Sequence, residues 1–163
     1  MNAQDYIKLI EDRLSCYFDR KEAPAGLPCD LVAELNASDE GYLLIKKLKT
    51  YSVKHNEYLY MKVFDKPLTM ADVEPYIDHL QERMRALKTT TEHMSSLFML
   101  VLVCEAETDP ATIKQLEGFK FHKDYAFSLK GWADLAIYIV NPSEKQLSYN
   151  KAGKKTAQYF ALQ

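Results

Sequence analysis

The chain has 163 residues, 47 % of them apolar and 27 % charged, with a formal net charge of -2. That length and balance fit one soluble globular domain and leave no global field to draw in nucleic acid or a membrane surface. Five glycines and six prolines leave little room for linkers, and eleven tyrosines with seven phenylalanines fit a core rich in β-structure.

The start, MNAQDYIKLIEDR, carries acids and no apolar stretch of the kind a secretory signal needs. The longest apolar run, residues 97–104, is far short of the ~20 residues that cross a bilayer. A cytoplasmic protein without membrane insertion is expected. Cys16, Cys29 and Cys104 are odd in number, widely spaced and form no CxxC pair, so three reduced thiols are expected.

Residues 3–19 predict an amphipathic helix, with Ile7, Ile10, Leu14, Tyr17 and Phe18 on one face. KEAPAGLPCD breaks the pattern. Strands are expected at 31–35, 42–51 and 58–64, joined by turns at 37–41 and at His55-Asn56, which favours an antiparallel meander. A helix over 70–88 follows from the stripe Val73, Tyr76, Ile77, Leu80, Met84 and Leu87. Thr69 or Asp72 caps it, with Pro75 expected in the first turn. Residues 97–104 are apolar on both faces, the mark of a central strand covered on both sides.

Asp109-Pro110 opens a short helix to 117. Phe119 and Phe121, then Tyr125, Phe127 and Leu129, repeat every second residue and predict strand. Further strands are expected at 135–140 and, as an edge, at 146–149, before a short helix over 152–161. The expected fold is a single α+β domain, one mixed sheet with flanking helices in the order αβββαβαβββα.

KQLSYNKAGKKTAQYF tests for a phosphate loop. G-x-x-x-x-G-K-[ST] requires a first glycine where Ser148 stands and a hydroxyl directly after Lys154, where Lys155 stands. The pattern fails, and the stretch reads as a turn into a terminal helix with Gly153 relaxing the bend. Two basic clusters remain. One is Lys46, Lys47, Lys49 and Lys54, where lysines can protect a sheet edge, and the other is Lys145, Lys151, Lys154 and Lys155.

His55, His79, His93 and His122 show no metal-ligand spacing. His55, His79 and His93 are expected at the surface. No G-x-S-x-G is present, Cys104 lies in a dry strand, and Cys29 has the acidic neighbour Asp30. Glu105, Glu107 and Asp109 follow the central strand, at the end where open α/β sheets build sites. They are candidate Mg²⁺ or acid–base groups, against the plainer role of capping the next helix. Trp132, the only tryptophan, is a candidate partner anchor or a cover over the end of the sheet.

The order αβββαβ over residues 3–106 resembles the core of the restriction-endonuclease-like fold. That resemblance implies an acid on the second strand and a D/E-x-K triplet on the third. GYLLIKKLKTY holds no acid, and EYLYMKVFDK has Glu57 and Lys62 at another spacing, so the catalytic motif is missing. The ending LAIYIVNPSEKQLSYNKAGKKTAQYF is similar to that of small α/β domains preceding the membrane core of some Gram-positive rhomboid-type proteins. This resemblance implies a regulatory or interaction domain and carries over no catalytic residue.

The leading expectation is a non-catalytic module that binds a protein partner or pairs with itself, with no cofactor and no metal. Lys46, Lys47, Lys49, Trp132, Lys151, Lys154 and Lys155 are its candidate contacts. The alternative is a Mg²⁺-dependent enzyme acting on a nucleotide or nucleic acid through Glu105, Glu107 and Asp109. Nucleic-acid binding by the lysine clusters is disfavoured by the overall charge.

Overall fold

The computed structural model describes residues 1–35, 55–89 and 95–162. Among them one mixed sheet is flanked by helices on both faces, the expected α+β architecture. Helix α1 spans Ala3–Leu14, capped by Asn2, whose side chain accepts from the Asp5 amide at 2.8 Å. It buries Tyr6, Ile7, Ile10 and Leu14. The helix stops short of residue 19, and Phe18 packs on the same core from beyond its end.

A three-residue strand, β1 (Asp19–Lys21), follows; all three residues are exposed, and nothing in their composition marks them as strand. It pairs antiparallel with β2 (Leu31–Leu35), which pairs antiparallel with β3 (His55–Phe64). The expected strand 42–51 and turn 37–41 lie outside the described residues. The expected turn at His55-Asn56 is instead the start of β3.

Helix α2 (Met70–Ala86) is capped by the Thr69 side chain on the Asp72 amide. Pro75 therefore stands in the second turn, not the first, where it removes one intrahelical donor. The helix carries the chain back so that β4 (Ser95–Cys104) lies parallel to β3, and every residue of β4 is buried. Helix α3 (Pro110–Glu117) makes a second crossover, and the strand β6 (Trp132–Asn141) lies parallel to β4.

Before β6 comes β5 (His122–Asp124), and after it β7 (Gln146–Tyr149). The sheet order is β1-β2-β3-β4-β6, and both β5 and β7 pair antiparallel with the far edge of β6. The expected strand through 125–129 is a turn. Ala126, Phe127 and Ser128 have φ of 50°, 55° and 69°, and Phe127 is 98 % exposed. The chain's last helix, Lys151–Phe160, is a 3₁₀ helix rather than the α-helix expected.

Alternation along the strands sorts the core into two layers. Leu59, Met61, Leu97, Met99, Val101, Ala136 and Tyr138 face α1 and the 3₁₀ helix. Tyr58, Tyr60, Phe98, Leu100, Leu135 and Ile137 face α2 and α3. Burying a large apolar side chain stabilises by about 1.5–3 kcal/mol, so β4 with both faces covered is the chief apolar contribution of any one strand.

Candidate functional site

The parallel register lines up the first residues of β3, β4 and β6. His55 is opposite Ser95, and Ser95 is opposite Trp132. One step on, Glu57, Leu97 and Asp134 form the next row, with His122 of β5 across from Asp134. Cross-strand partners share a face and residues two apart share a face, so both rows lie on the side covered by the 3₁₀ helix. A face that is apolar over most of its length thus turns polar at one end.

That end is connected. His55 Nδ1 is 2.5 Å from Ser95 Oγ, and His55 Nε2 is 3.1 Å from Glu57 Oε1. The hydroxyl of Tyr159, from the 3₁₀ helix, donates to Glu57 Oε2 at 3.2 Å. Glu57 is fully buried, and a buried carboxylate is costly unless such partners hold it. With Glu57 ionised its oxygens would only accept, making Nε2 the donor, and a neutral His55 ring would then accept from Ser95 through Nδ1.

His55 and Ser95 reach a cavity of about 290 Å³. Its wall includes Lys120, Trp132, Asp134, Lys151 and Lys155. The site candidates Trp132, Lys151 and Lys155 are therefore gathered at one place, while Lys154 is not among the residues lining it. Trp132 opens β6 and is half-buried. Lys46, Lys47 and Lys49 lie outside the described residues, as does His93.

At the cavity's edge His122 Nδ1 is 2.6 Å from Asp134, and its Nε2 is 3.2 Å from Asp124. The hydrogen bond to Asp134 is the largest influence raising the His122 pKa above its ordinary value. Asp124 is held below the usual carboxylate range, first by Ser128 and then by His122.

The opposite end of the sheet holds a larger cavity, about 490 Å³, lined in part by Glu105, Glu107, Thr108, Asn141 and Glu144. Glu105 accepts from Ser143 at 2.7 Å, while Asp109 does not line the cavity and caps α3 through the Ala111 amide at 3.0 Å. The three acids thus do not converge, and among the described residues no group of His, Cys, Asp and Glu is arranged to hold a metal. A third pocket, about 230 Å³ and mostly apolar, lies where α1 meets β2, beside Glu11, Leu14, Phe18 and Leu31.

Two of the histidines expected at the surface are not there. His55 is 5 % exposed, and His79 is half-buried with Nε2 unpartnered among the described residues; burial lowers its pKa. Cys104 is buried and donates to the Lys66 carbonyl at 2.9 Å. Burial pushes the Cys29 thiol up to about 11, which leaves little thiolate.

A family model described as a domain of unknown function, DUF8052, matches residues 2–162, and the chain belongs to that family. No curated protein and no solved structure matches it. Among the described residues no helix is long and apolar enough to cross a membrane.

Proposed function

We propose that the chain is an interaction module that assembles with further copies of itself. The tip formed by Phe127 and Leu129 of one copy enters the apolar pocket beside Glu11 of the next. One observation carries this reading: two large apolar side chains, 98 % and 76 % exposed, are displayed on a turn whose backbone is left-handed at three successive non-glycine residues. Such a backbone is unfavourable by roughly 1–2 kcal/mol per residue and persists only where its surroundings impose it.

Here the surroundings do impose it. Tyr125 is buried with its hydroxyl on the Met84 carbonyl at 2.5 Å, and its amide donates to Gly131 at 3.0 Å. Ser128 donates to Asp124 at 2.6 Å. The tip is thus a built projection.

The occupant is argued from position. The tip extends from the β5–β6 edge of the sheet and the apolar pocket lies at the β1–β2 edge, so one copy cannot fill its own pocket. Two unlike surfaces make a head-to-tail contact that grows into open chains or a ring. A cytoplasmic location belongs to the same proposal and is supported by three free thiols. Mg²⁺ chemistry at Glu105, Glu107 and Asp109 has less support, because Ser143 and the α3 cap engage two of the three.

Sedimentation equilibrium tests the assembly, at high protein concentration because a single-tip contact is small and therefore weak. Wild type should gain mass with concentration, and the double variant Phe127→Ser/Leu129→Ser should stay monomeric. Ser15→Arg, which charges the pocket mouth, should also stay monomeric alone. Mixed, the two variants should stop at a heterodimer, since each retains one good surface. A wild type that is monomeric throughout, or a double variant that assembles like wild type, overturns the reading.

A further inference from the structure

We propose that Ser95, His55 and Glu57 form a nucleophilic hydrolase site opening on the 290 Å³ cavity, with a small acyl ester bearing a negative charge as substrate. This goes beyond the assembly reading and does not depend on it. A serine nucleophile needs a base within hydrogen-bond reach and a third group that orients the base. Ser95 Oγ, His55 Nδ1 and Nε2, and Glu57 Oε1 supply that chain at 2.5 and 3.1 Å. Its direction is also right, since Ser95 and His55 reach the cavity and Glu57, fully buried, stands behind them.

A purely structural role explains this arrangement less well. A buried histidine–carboxylate pair gains little stability over apolar side chains of similar volume. The same face is apolar one row further into the sheet, at Leu59 and Met99. The outer end of the polar chain, His55 and Ser95, lies where a cavity gives it something to act on. Lys120 and Lys151 on the cavity wall suit an acyl group that carries a carboxylate, since Asp134 on the same wall is engaged by His122, and Trp132 offers a flat apolar surface beside them.

In the first step Ser95 Oγ attacks the ester carbonyl carbon and its proton passes to His55 Nδ1. Glu57 stabilises the imidazolium and keeps the ring oriented. Collapse of the tetrahedral intermediate breaks the bond to the leaving alcohol, which takes the proton from His55. Water then attacks the acyl-serine, again giving its proton to His55. Release of the carboxylic acid returns that proton to Ser95. One ester and one water give one acid and one alcohol.

The test uses the full chain with diisopropyl fluorophosphate, and with 4-nitrophenyl acetate against mono-4-nitrophenyl succinate. Intact mass and peptide mapping should place one phosphoryl adduct on Ser95, and the anionic ester should turn over faster. Ser95→Ala should abolish both, and His55→Gln should slow labelling by about 10²–10⁴-fold, the usual contribution of a general base.

Glu57 is a positioning residue, and Glu57→Gln has a readout beyond rate. It should move the acid limb of the labelling profile to lower pH, since an amide no longer favours the imidazolium. Near-UV circular dichroism confirms that each variant is folded. Phe127→Ser/Leu129→Ser should label like wild type, which separates this site from assembly. Folded wild type that takes no adduct on Ser95, or Ser95→Ala that hydrolyses both esters at the wild-type rate, overturns the proposal.

Discussion

Replacing Gly153 by alanine should destabilise the protein, for a reason unrelated to backbone freedom. Its φ is not among the left-handed values of the chain, so it does not serve to relax a bend. It is a point of close approach. A Cβ there would lie 3.0 Å from Tyr138 Cε1, 3.1 Å from Tyr138 Cζ and 3.2 Å from Tyr149 Cβ, against about 3.5–4.0 Å for carbon atoms in favourable contact. The Tyr138 ring has nowhere to go: it is fully buried, packs on Phe160 at 4.4 Å between centroids, and pairs its hydroxyl with Thr156. Overpacking a tight site costs about 1–3 kcal/mol, and the reduced freedom of the unfolded chain returns about 0.4–1 kcal/mol. The net loss is about 0–2.6 kcal/mol, centred near 1.3 kcal/mol, or roughly 3–5 °C in Tm for a chain of this size. Gly118 is the matched control. Its φ is -83° and its nearest neighbour would be the Lys114 carbonyl oxygen at 3.4 Å, an ordinary contact, so Gly118→Ala should leave Tm unchanged or raise it slightly. Calorimetry on both variants decides the point, and a Gly153→Ala protein melting at or above wild type would refute the steric argument.

Asn150→Ala should be more damaging still. Asn150 is 1 % exposed; its Oδ1 accepts from the Ile137 and Gly153 amides and its Nδ2 donates to the Phe119 and Leu135 carbonyls, all within 3.2 Å. At about 1–3 kcal/mol per buried group left unpaired, urea denaturation should show a loss of at least about 3 kcal/mol. His122 should make the 125–130 turn pH-sensitive. Its pKa is raised, so its contribution is complete below the unfolded value near 6.5 and is lost as pH rises through the higher folded value. Asp124, with its pKa depressed below 3.8, sets the acid limit: its contribution is present above that value and is lost as pH falls through the folded one. Amide exchange in the turn, corrected for intrinsic rates, should therefore quicken at alkaline pH in wild type and lose that dependence in His122→Gln. An unchanged dependence in the variant would remove His122 from the account.

How much of this was legible depended on whether the deciding contact was local. β4 could be read because its own side chains must be dry on both faces, and α2 because one stripe of apolar residues is enough to define its buried face. Tyr17 and Phe18 continued the α1 pattern in sequence because they pack on the same core, though the backbone leaves the helix after Leu14. Tyr125, Phe127 and Leu129 misled more thoroughly. Alternation says only that every second residue is apolar, and it assumes a sheet face on which to bury them. Here Tyr125 is held by Met84 on α2, and the backbone bonds among 125–131 fold the rest into a turn, so the other two side chains point into solvent.

The polar chain at the head of the parallel strands shows why site residues were harder to read than the fold. Ser95 is forty residues from His55 in sequence, and only the α2 crossover and the parallel register bring them side by side. No spacing rule encodes that. One local sign was available: His55 and Glu57 are two apart at the start of a strand whose same-face successors, Leu59 and Met61, are apolar. Polar residues on the dry face of a strand must have partners, which argues for a network before any partner is known. The acids after β4 lacked that compulsion. Glu105, Glu107 and Asp109 sit in a connecting segment where a cap or a nearby hydroxyl satisfies a carboxylate at little cost, so proximity in sequence carried no obligation to converge. The burial of polar groups, more than their density along the chain, is what points to the site.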